Sequence, residues 1–337
     1  MTKPTIRDIA RLAGVCIGTV SRVVNNQDKV HHATRERILK LIETTGYRPD
    51  ALARGLKRRR SQSILLEVCS IVDPYCAALS ESVSDHCRAW GYKMLLADSK
   101  YDVALEADYL SRVRDGSVDG MVISPLPFRD NIPLFRDLAA SKFPIVIMDN
   151  AVPGVPLDCV KYDDLAAGRM AMQYLFEKGH ERIAFIQWRP GFHTVQDRRR
   201  AYTESHKRRR VPLRNEYVVT LPDAFRDWER SEFAQLLSLP ARPTAILAEN
   251  EIVAVACMNM LLKRGIQIPH EVAVMAFGDA LLESLAPVPL TSVALNYQQA
   301  SLCAVKRLTE LIERPRLCGK KPYLHVQTPA LVVRESA

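Results

Sequence analysis

Five polar side chains crowded between positions 19 and 26 (Thr19, Ser21, Arg22, Asn25 and Asn26) are of the types that bond to phosphate oxygens and base edges. Arg22 is the strongest base-reading candidate, because a planar guanidinium matches the O6/N7 edge of guanine. The polar residues are interleaved with Val20, Val23 and Val24. Apolar residues at that spacing fall on the buried face of a helix and leave the polar set outside. Upstream, Ile6, Ile9, Ala10 and Ala13 recur at helical spacing, and Gly14 follows them. Glycine supplies the positive φ of a sharp change of direction. Two short helices joined in this way form the layout that sends a second helix into a DNA major groove.

An ordinary helical hairpin shares that pattern, and charge separates the two readings. The chain has 47 Lys and Arg against 38 Asp and Glu, a net charge of +9; the first 60 residues hold 14 of the former and 5 of the latter, and the remainder is balanced at 33 of each. The whole positive excess therefore sits on the segment with the helix-turn-helix pattern, as phosphate neutralisation requires.

Other chemistries lack their residues. The eight cysteines, at 16, 69, 76, 87, 159, 257, 303 and 318, form no CxxC pair and have no histidine at metal-ligand spacing. Free thiols, mostly buried, are expected, with no metal and no cofactor. His31-His32 stands alone. No Walker loop, no GxGxxG after a strand, no GxSxG elbow and no HExxH occurs, and Asp73, Asp149 and Asp279 do not define an acid/base pair, so the chain reads as a non-enzyme. Its 337 residues, 47% hydrophobic and 25% charged, suit a folded chain of two or three domains. Apolar runs fall short of the roughly 18 residues of a membrane span, and no apolar stretch follows the N-terminal charges, which points to the cytoplasm.

The positioning elements follow in order. A third helix is expected from Ala33 to about Thr44, closed by Gly46. Tyr47 to Leu56 and the run Lys57-Arg-Arg-Arg60 come next. A helix of one or two turns from Pro49 needs support to hold in water, and a flexible basic linker is the alternative. From Ser63 strands alternate with helices: strands at 64–69, 93–97, 120–124 and 145–148, with helices at 76–90, 105–114 and 133–140. A second unit has strands at 183–186, 217–220, 245–248 and 273–277 and helices at 165–178, 198–209, 230–237 and 252–264. A last helix, 298–312, and a strand, 326–332, are expected to complete two α/β lobes. Such repeats form parallel sheets that bind ligands beyond the carboxyl ends of their strands.

The chain resembles the LacI/GalR family of bacterial transcription regulators over essentially its full length. Thr5-Ile-Arg-Asp-Ile-Ala-Arg-Leu-Ala-Gly-Val15, Thr19-Val-Ser-Arg-Val-Val-Asn25, Thr34-Arg-Glu-Arg-Ile38, Gly46-Tyr-Arg-Pro49 and Ala51-Leu-Ala-Arg54 carry the likeness at the N-terminus. Asp73-Pro74, Asp119-Gly120, Gly179-His180, Pro269 and Pro289-Leu-Thr291 carry it further on.

The resemblance implies a three-helix DNA-binding head over 1–48, a hinge helix and basic linker over 49–61, and a two-lobed periplasmic-binding-protein-like core over 62–337. Lobe one would take 62–160 plus 293–323, and lobe two 161–292 plus 324–337. It implies a homodimer on a roughly palindromic operator, acting as a repressor under a small-molecule effector, a sugar, sugar derivative or nucleoside. A constitutive DNA binder with a non-functional cleft is the alternative. DNA contacts would come from Thr5, Cys16, Ile17, Gly18, Thr19, Ser21, Arg22, Asn25, Ala53, Leu56 and Lys57, with Leu56 as a minor-groove wedge. Effector contacts would come from Tyr75, Ser124, Asp149, Trp188, Arg198, Asn250 and Asp279.

Several residues depart from the family pattern. Cys16 replaces a capping Ser, and Ile17-Gly18 leaves base reading there to thymine-methyl contact. Asp50 replaces Asn or Ser. Gln187-Trp188-Arg189-Pro190 replaces a small loop, Ala201 replaces a Gly, and Gly278 replaces a frequent Asp.

Overall fold

The computed structural model describes residues 4–24, 29–47, 60–221, 232–279 and 285–337. The chain divides into two compact units, Met1–Ser61 and Gln62–Ala337.

The first unit holds α1 (Ile6–Ala13), α2 (Ile17–Val24) and α3 (His32–Thr45). Thr5 opens α1 with a reciprocal capping box: its backbone N–H donates to Asp8 Oδ2 at 2.9 Å, and the Asp8 N–H donates to Thr5 Oγ1 at 3.4 Å. Gly14, at φ +63°, ends α1 in the left-handed conformation and turns the chain into α2. Ile9, Ala10, Ala13, Val20, Val23, Ile38 and Tyr47 form the buried core, so the apolar stripes read from the sequence do face one another. Val24 only packs against this core from a half-buried position.

The second unit contains two six-stranded sheets. Its strands are β1 (Ser63–Val68), β2 (Lys93–Asp98), β3 (Gly120–Ile123), β4 (Ile145–Met148), β5 (Asp158–Tyr162), β6 (Ile183–Gln187), β7 (Val218–Thr220), β8 (Ala245–Ala248), β9 (Ala273–Phe277), β10 (Thr291–Ala294), β11 (Leu324–Gln327) and β12 (Ala330–Val332). The first sheet runs β11-β5-β4-β3-β1-β2, and the second β12-β10-β9-β8-β6-β7. All pairings are parallel except β10 with β12.

Each sheet is covered by helices on both faces, as buried parallel strands require. On the first lie α4 (Pro74–Ala89) and α11 (Tyr297–Glu313) on one side, with α5 (Val103–Arg112) and α6 (Ile132–Ala140) on the other. The second carries α7 (Asp164–Glu177) and α8 (His193–Arg209) on one face and α9 (Glu232–Leu236) and α10 (Glu251–Lys263) on the other. In each sheet the strand order reverses beside the first strand, which sets a crevice at the carboxyl ends between β1 and β3 and between β6 and β8.

Three expectations need correction. The single strand 326–332 is two strands, β11 in the first sheet and β12 in the second, so residues 324–327 belong to lobe one. Strands β5 and β10 were not expected. Helix α8 starts at His193, five residues before the expected Arg198. No helix among the described residues is long and apolar enough to cross a membrane. All eight cysteines are free; Cys16 is exposed, Cys303 half-buried and the other six buried.

Candidate functional site

In the head, the packing of Val20 and Val23 turns the rest of α2 outward. Ile17, Gly18 and Arg22 are exposed, and Thr19 and Ser21 half-buried. Ile17 keeps 45% of its surface exposed, a large apolar side chain on an otherwise polar face. Cys16 sits at the helix start. Its carbonyl accepts the Thr19 N–H at 2.9 Å, and its thiol lies 3.3 Å from the Thr19 hydroxyl. Those Thr19 hydrogen bonds hold the thiol below its ordinary pKa. The thiol thus does the local bonding expected of a capping Ser. A Cβ added at Gly18 would meet only the Cys16 sulfur at 3.7 Å, ordinary contact, so no packing demand keeps this residue a glycine. Thr5, expected to touch DNA, has its side chain engaged in the capping box. Asn25, Ala53, Leu56 and Lys57 lie outside the described residues.

In the second unit a cavity opens where the carboxyl ends of the two sheets face each other. Lobe one supplies Asp73, Tyr75, Tyr101, Ser124, Asp149, Asn150 and Tyr162, and lobe two supplies Trp188, Arg189, Phe192, Arg198, Glu249, Asn250 and Gly278. Six of the seven expected effector residues line it.

Asp149 leaves β4 at φ +62°. The Tyr75 hydroxyl donates to its two oxygens at 2.9 and 3.0 Å, the Ser124 hydroxyl donates to Oδ2 at 3.2 Å, and the Tyr75 and Tyr162 hydroxyls are bonded at 3.1 Å. Burial raises the Asp149 carboxyl to about 6 despite the Tyr75 bond.

Arg198 is buried and already partnered. Nε and Nη2 lie 2.8 and 2.6 Å from Asp164 Oδ1, Nη1 donates to the Glu249 carbonyl at 2.6 Å, and the guanidinium lies 4.7 Å from the Phe277 ring centre. Asn250 caps α10, its Oδ1 accepting the Val253 N–H at 2.9 Å.

Asp279 is the exception. It pairs with Arg334 at 2.7 Å and accepts from the Ser292 hydroxyl at 3.3 Å, while its neighbour Gly278 takes the place on the cavity wall. Gly278 stands at φ +106°, and a Cβ there would come 2.6 Å from Glu251 Oε1. An Asp at position 278 would be strained by the backbone and would require the Glu251 side chain to move. The other departure, Ala201, is accommodated from the opposite helix: Gly168 on α7 faces it so closely that a Cβ at 168 would lie 2.5 Å from the Ala201 Cβ.

Glu249, Asn150, Arg189, Tyr162 and Tyr101 are among the lining residues that the sequence reading did not choose as effector contacts. Glu249 and Asn150 directly adjoin residues that were chosen, and Arg189 follows Trp188 at a strand end, so the carboxyl-end rule reaches all three. Tyr162 ends β5, a strand that was not expected. Tyr101 gave no signal, because it enters the cavity from a loop through two successive left-handed residues, Lys100 at φ +51° and Tyr101 at φ +58°.

These residues form a cross-cleft cluster. The Arg189 guanidinium lies over the rings of Tyr101 and Trp188, 3.4 and 4.2 Å from their centres. The Tyr101 ring meets Trp188 and Phe192 edge-on, and its hydroxyl donates to Asp73 Oδ2 at 3.4 Å. Glu249 is 2% exposed; its two oxygens accept the Arg189 backbone N–H at 3.3 Å each, and burial raises it to about 7. Asn150 Oδ1 and Arg189 Nε are buried without a hydrogen-bond partner. The cavity thus offers flat aromatic faces, carboxylate acceptors and two unpartnered polar atoms, which is the equipment for a polar molecule with a ring.

Residues 5–50 match the model for bacterial regulatory proteins of the lacI family, and residues 172–337 that for a periplasmic binding protein-like domain. The HTH-type transcriptional regulator DegA of Bacillus subtilis is 29% identical over 99% of this chain and 98% of its own length. The transcriptional repressor CytR of Escherichia coli is 29% identical over 87% of this chain and 85% of its own. Among solved structures, the regulator CelR in complex with cellobiose is 26% identical with a TM-score of 0.71, covering 99% of this chain and 100% of that one. The Lac repressor bound to ONPG shares the fold at a TM-score of 0.86 and 20% identity over the full length of both chains.

Proposed function

Because the chain belongs to the lacI family of bacterial regulatory proteins, and is thereby a DNA-binding transcription regulator, we propose that it represses from a palindromic operator as a homodimer governed by an effector in the inter-lobe cavity. The observation that carries this is the pairing of an outward-facing α2, with Ile17, Gly18 and Arg22 exposed, with a cavity six of whose seven expected residues converge. Arg22 reads a guanine, and Ile17 packs on a thymine methyl.

The dimer reading is supported by the edge of the first sheet. Strand β2 is terminal in the order, and Leu95 and Leu96 on it are 45% and 46% exposed. Ile71 and Val72, in the loop that leads into α4, are 47% and 73% exposed. A long edge strand with exposed leucines is a liability unless a partner covers it, and a second copy of this chain is the occupant a two-fold operator demands.

For the effector, a cavity of buried hydroxyls, carboxylates and aromatic rings suits a sugar, sugar derivative or nucleoside. The cellobiose held by CelR supports a sugar-sized polar ligand. Such a ligand acts by binding two lobe arrangements with different affinity.

The test uses purified protein and a palindromic duplex selected from random sequence. Binding should weaken steeply with added salt, with two protomers per duplex, and a panel of sugars and nucleosides should raise the melting temperature by mass action. Salt-insensitive or absent DNA binding defeats the regulator mechanism. Intact DNA binding with no ligand stabilisation defeats the effector role.

A further inference from the structure

The cavity's charge says which kind of ligand it takes. This inference rests on the reading of the cavity as the effector site. Four carboxylates line it (Asp73, Asp149, Glu249 and Glu251) against two guanidinium groups, Arg189 and Arg198. Both cations are already engaged with the protein, Arg198 almost completely. Arg198 spends its charge on Asp164, with both Nε and Nη2 on one carboxylate oxygen and Nη1 on a carbonyl. The Arg189 guanidinium lies over the Tyr101 and Trp188 rings, which take up part of its charge, while its Nε has no hydrogen-bond partner. A phosphate or carboxylate entering here would add negative charge beside carboxyl groups of which Asp73, Asp149 and Glu249 are already pushed toward their protonated forms by burial.

Glu249 shows the converse. Its carboxylate can accept about four hydrogen bonds, and its donors are neutral backbone N–H groups, that of Trp188 and that of Arg189, the latter shared between both oxygens at 3.3 Å each. Asp149 across the cavity is better supplied, by the Tyr75 and Ser124 hydroxyls. A buried carboxylate with spare acceptor capacity and no cation of its own gains most from a charged donor, because N⁺–H···O⁻ bonds are roughly twice as strong as neutral ones. The aromatic walls add to the same preference, since Trp188, Tyr101 and Phe192 present ring faces and edges around this end of the cavity.

We propose that the effector is an amine: an amino sugar or aminonucleoside whose ammonium group docks on Glu249, while a hydroxyl of the same molecule supplies the acceptor for Arg189 Nε and another the donor for Asn150 Oδ1. Phosphorylated and carboxylated relatives of the same scaffold are excluded.

The experiment compares matched triples on the full-length protein at pH 7: glucosamine, glucose and glucose 6-phosphate, and 5′-amino-5′-deoxyadenosine, adenosine and adenosine monophosphate. Melting shifts are read first and dissociation constants by calorimetry second. In at least one triple the amine should bind about tenfold or more tightly than its neutral partner, and the phosphate should give no shift. In Glu249→Gln that advantage should shrink to less than about threefold, whereas Glu81→Gln, on the outer face of α4, should leave it intact. Equal binding of amine and neutral partner, binding of a phosphate, or an undiminished preference in Glu249→Gln overturns the amine while leaving the cavity as effector site. No shift with any member, in protein that still binds its duplex, overturns the effector site itself and the amine with it.

Discussion

The guanidinium carbon of Arg189 lies 3.4 Å from the centre of the Tyr101 ring, and the two residues belong to opposite lobes, one following β6 and the other β2. A cation on a ring face across a cleft holds the facing surfaces together, and in a partly desolvated setting it contributes about 1–2 kcal/mol. A double-mutant cycle with Tyr101→Leu and Arg189→Met should show coupling of that size in thermal or urea unfolding. Additive effects within about 0.3 kcal/mol would mean that the stack contributes nothing to the arrangement of the lobes.

Gly18→Ala separates stability from recognition. Nothing packs tightly against position 18, and replacing a helical glycine by alanine stabilises by roughly 0.5–1 kcal/mol. The variant head should melt a few degrees higher and bind the wild-type operator less well, because the added methyl occupies space in the groove. Unchanged operator affinity and sequence preference would remove Gly18 from the DNA surface.

Glu249 makes stability depend on pH. Its carboxyl lies at about 7 in the folded protein against an ordinary 4.5, so the folded state favours the protonated form. That contribution is fully present below about pH 4.5 and is lost as pH rises through 7. Glu249→Gln cannot lose it. The stability of Glu249→Gln relative to the wild type should therefore increase between pH 4.5 and 7.5 by about 3 kcal/mol, at 1.36 kcal/mol per unit. Asp149, at about 6, shifts in the same direction but is present in both proteins and cancels from the difference. Parallel stability curves across this range would contradict the burial of a proton-holding Glu249.

The Arg198–Asp164 pair ties α8 to α7 with both side chains under a tenth exposed. Removing one partner strands a buried charge, which costs about 3–5 kcal/mol. Asp164→Asn should lower stability by that amount at pH 7 and by less at acid pH, where desolvation, pushing the Asp164 carboxyl up, already weakens the pair. The double variant Asp164→Leu with Arg198→Met should recover much of the loss. A double-variant loss equal to the sum of the Asp164→Leu and Arg198→Met losses would indicate that the pair is not energetically coupled.

The helix-turn-helix was legible because its two signals are local: apolar residues at helical spacing and a glycine at the turn. Most strands of the core were legible for the related reason that a strand covered on both faces is an unbroken apolar run, as in Ile145–Met148 and Ala245–Ala248. Strand β5 breaks that rule with Asp158 and Lys161, and its place is fixed by long-range pairing with β4 and β11. The C-terminal stretch reads as one strand although Thr328-Pro329 marks the change of sheet, since a proline cannot donate to a ladder. In the cavity, the residues that lie at strand ends could be anticipated, whereas the commitment of Asp279 to Arg334 and of Arg198 to Asp164 depends on partners 55 and 34 positions away. Glu249 looked ordinary in the sequence because its character comes from what surrounds it.

The change of sheet at 328–329 is one of three places where the chain passes between lobes, with 162–164 and 294–297. All three leave or enter strands at the same side of each sheet, β5 and β11 in the first and β10 and β12 in the second. Two of them are also bonded to each other, the Asp163 N–H donating to the Gln327 carbonyl at 3.1 Å. Three neighbouring pivots along one margin leave a body a single easy degree of freedom. A ligand that wedged the far side open, whether bulky or slight, would turn the lobes about that one margin.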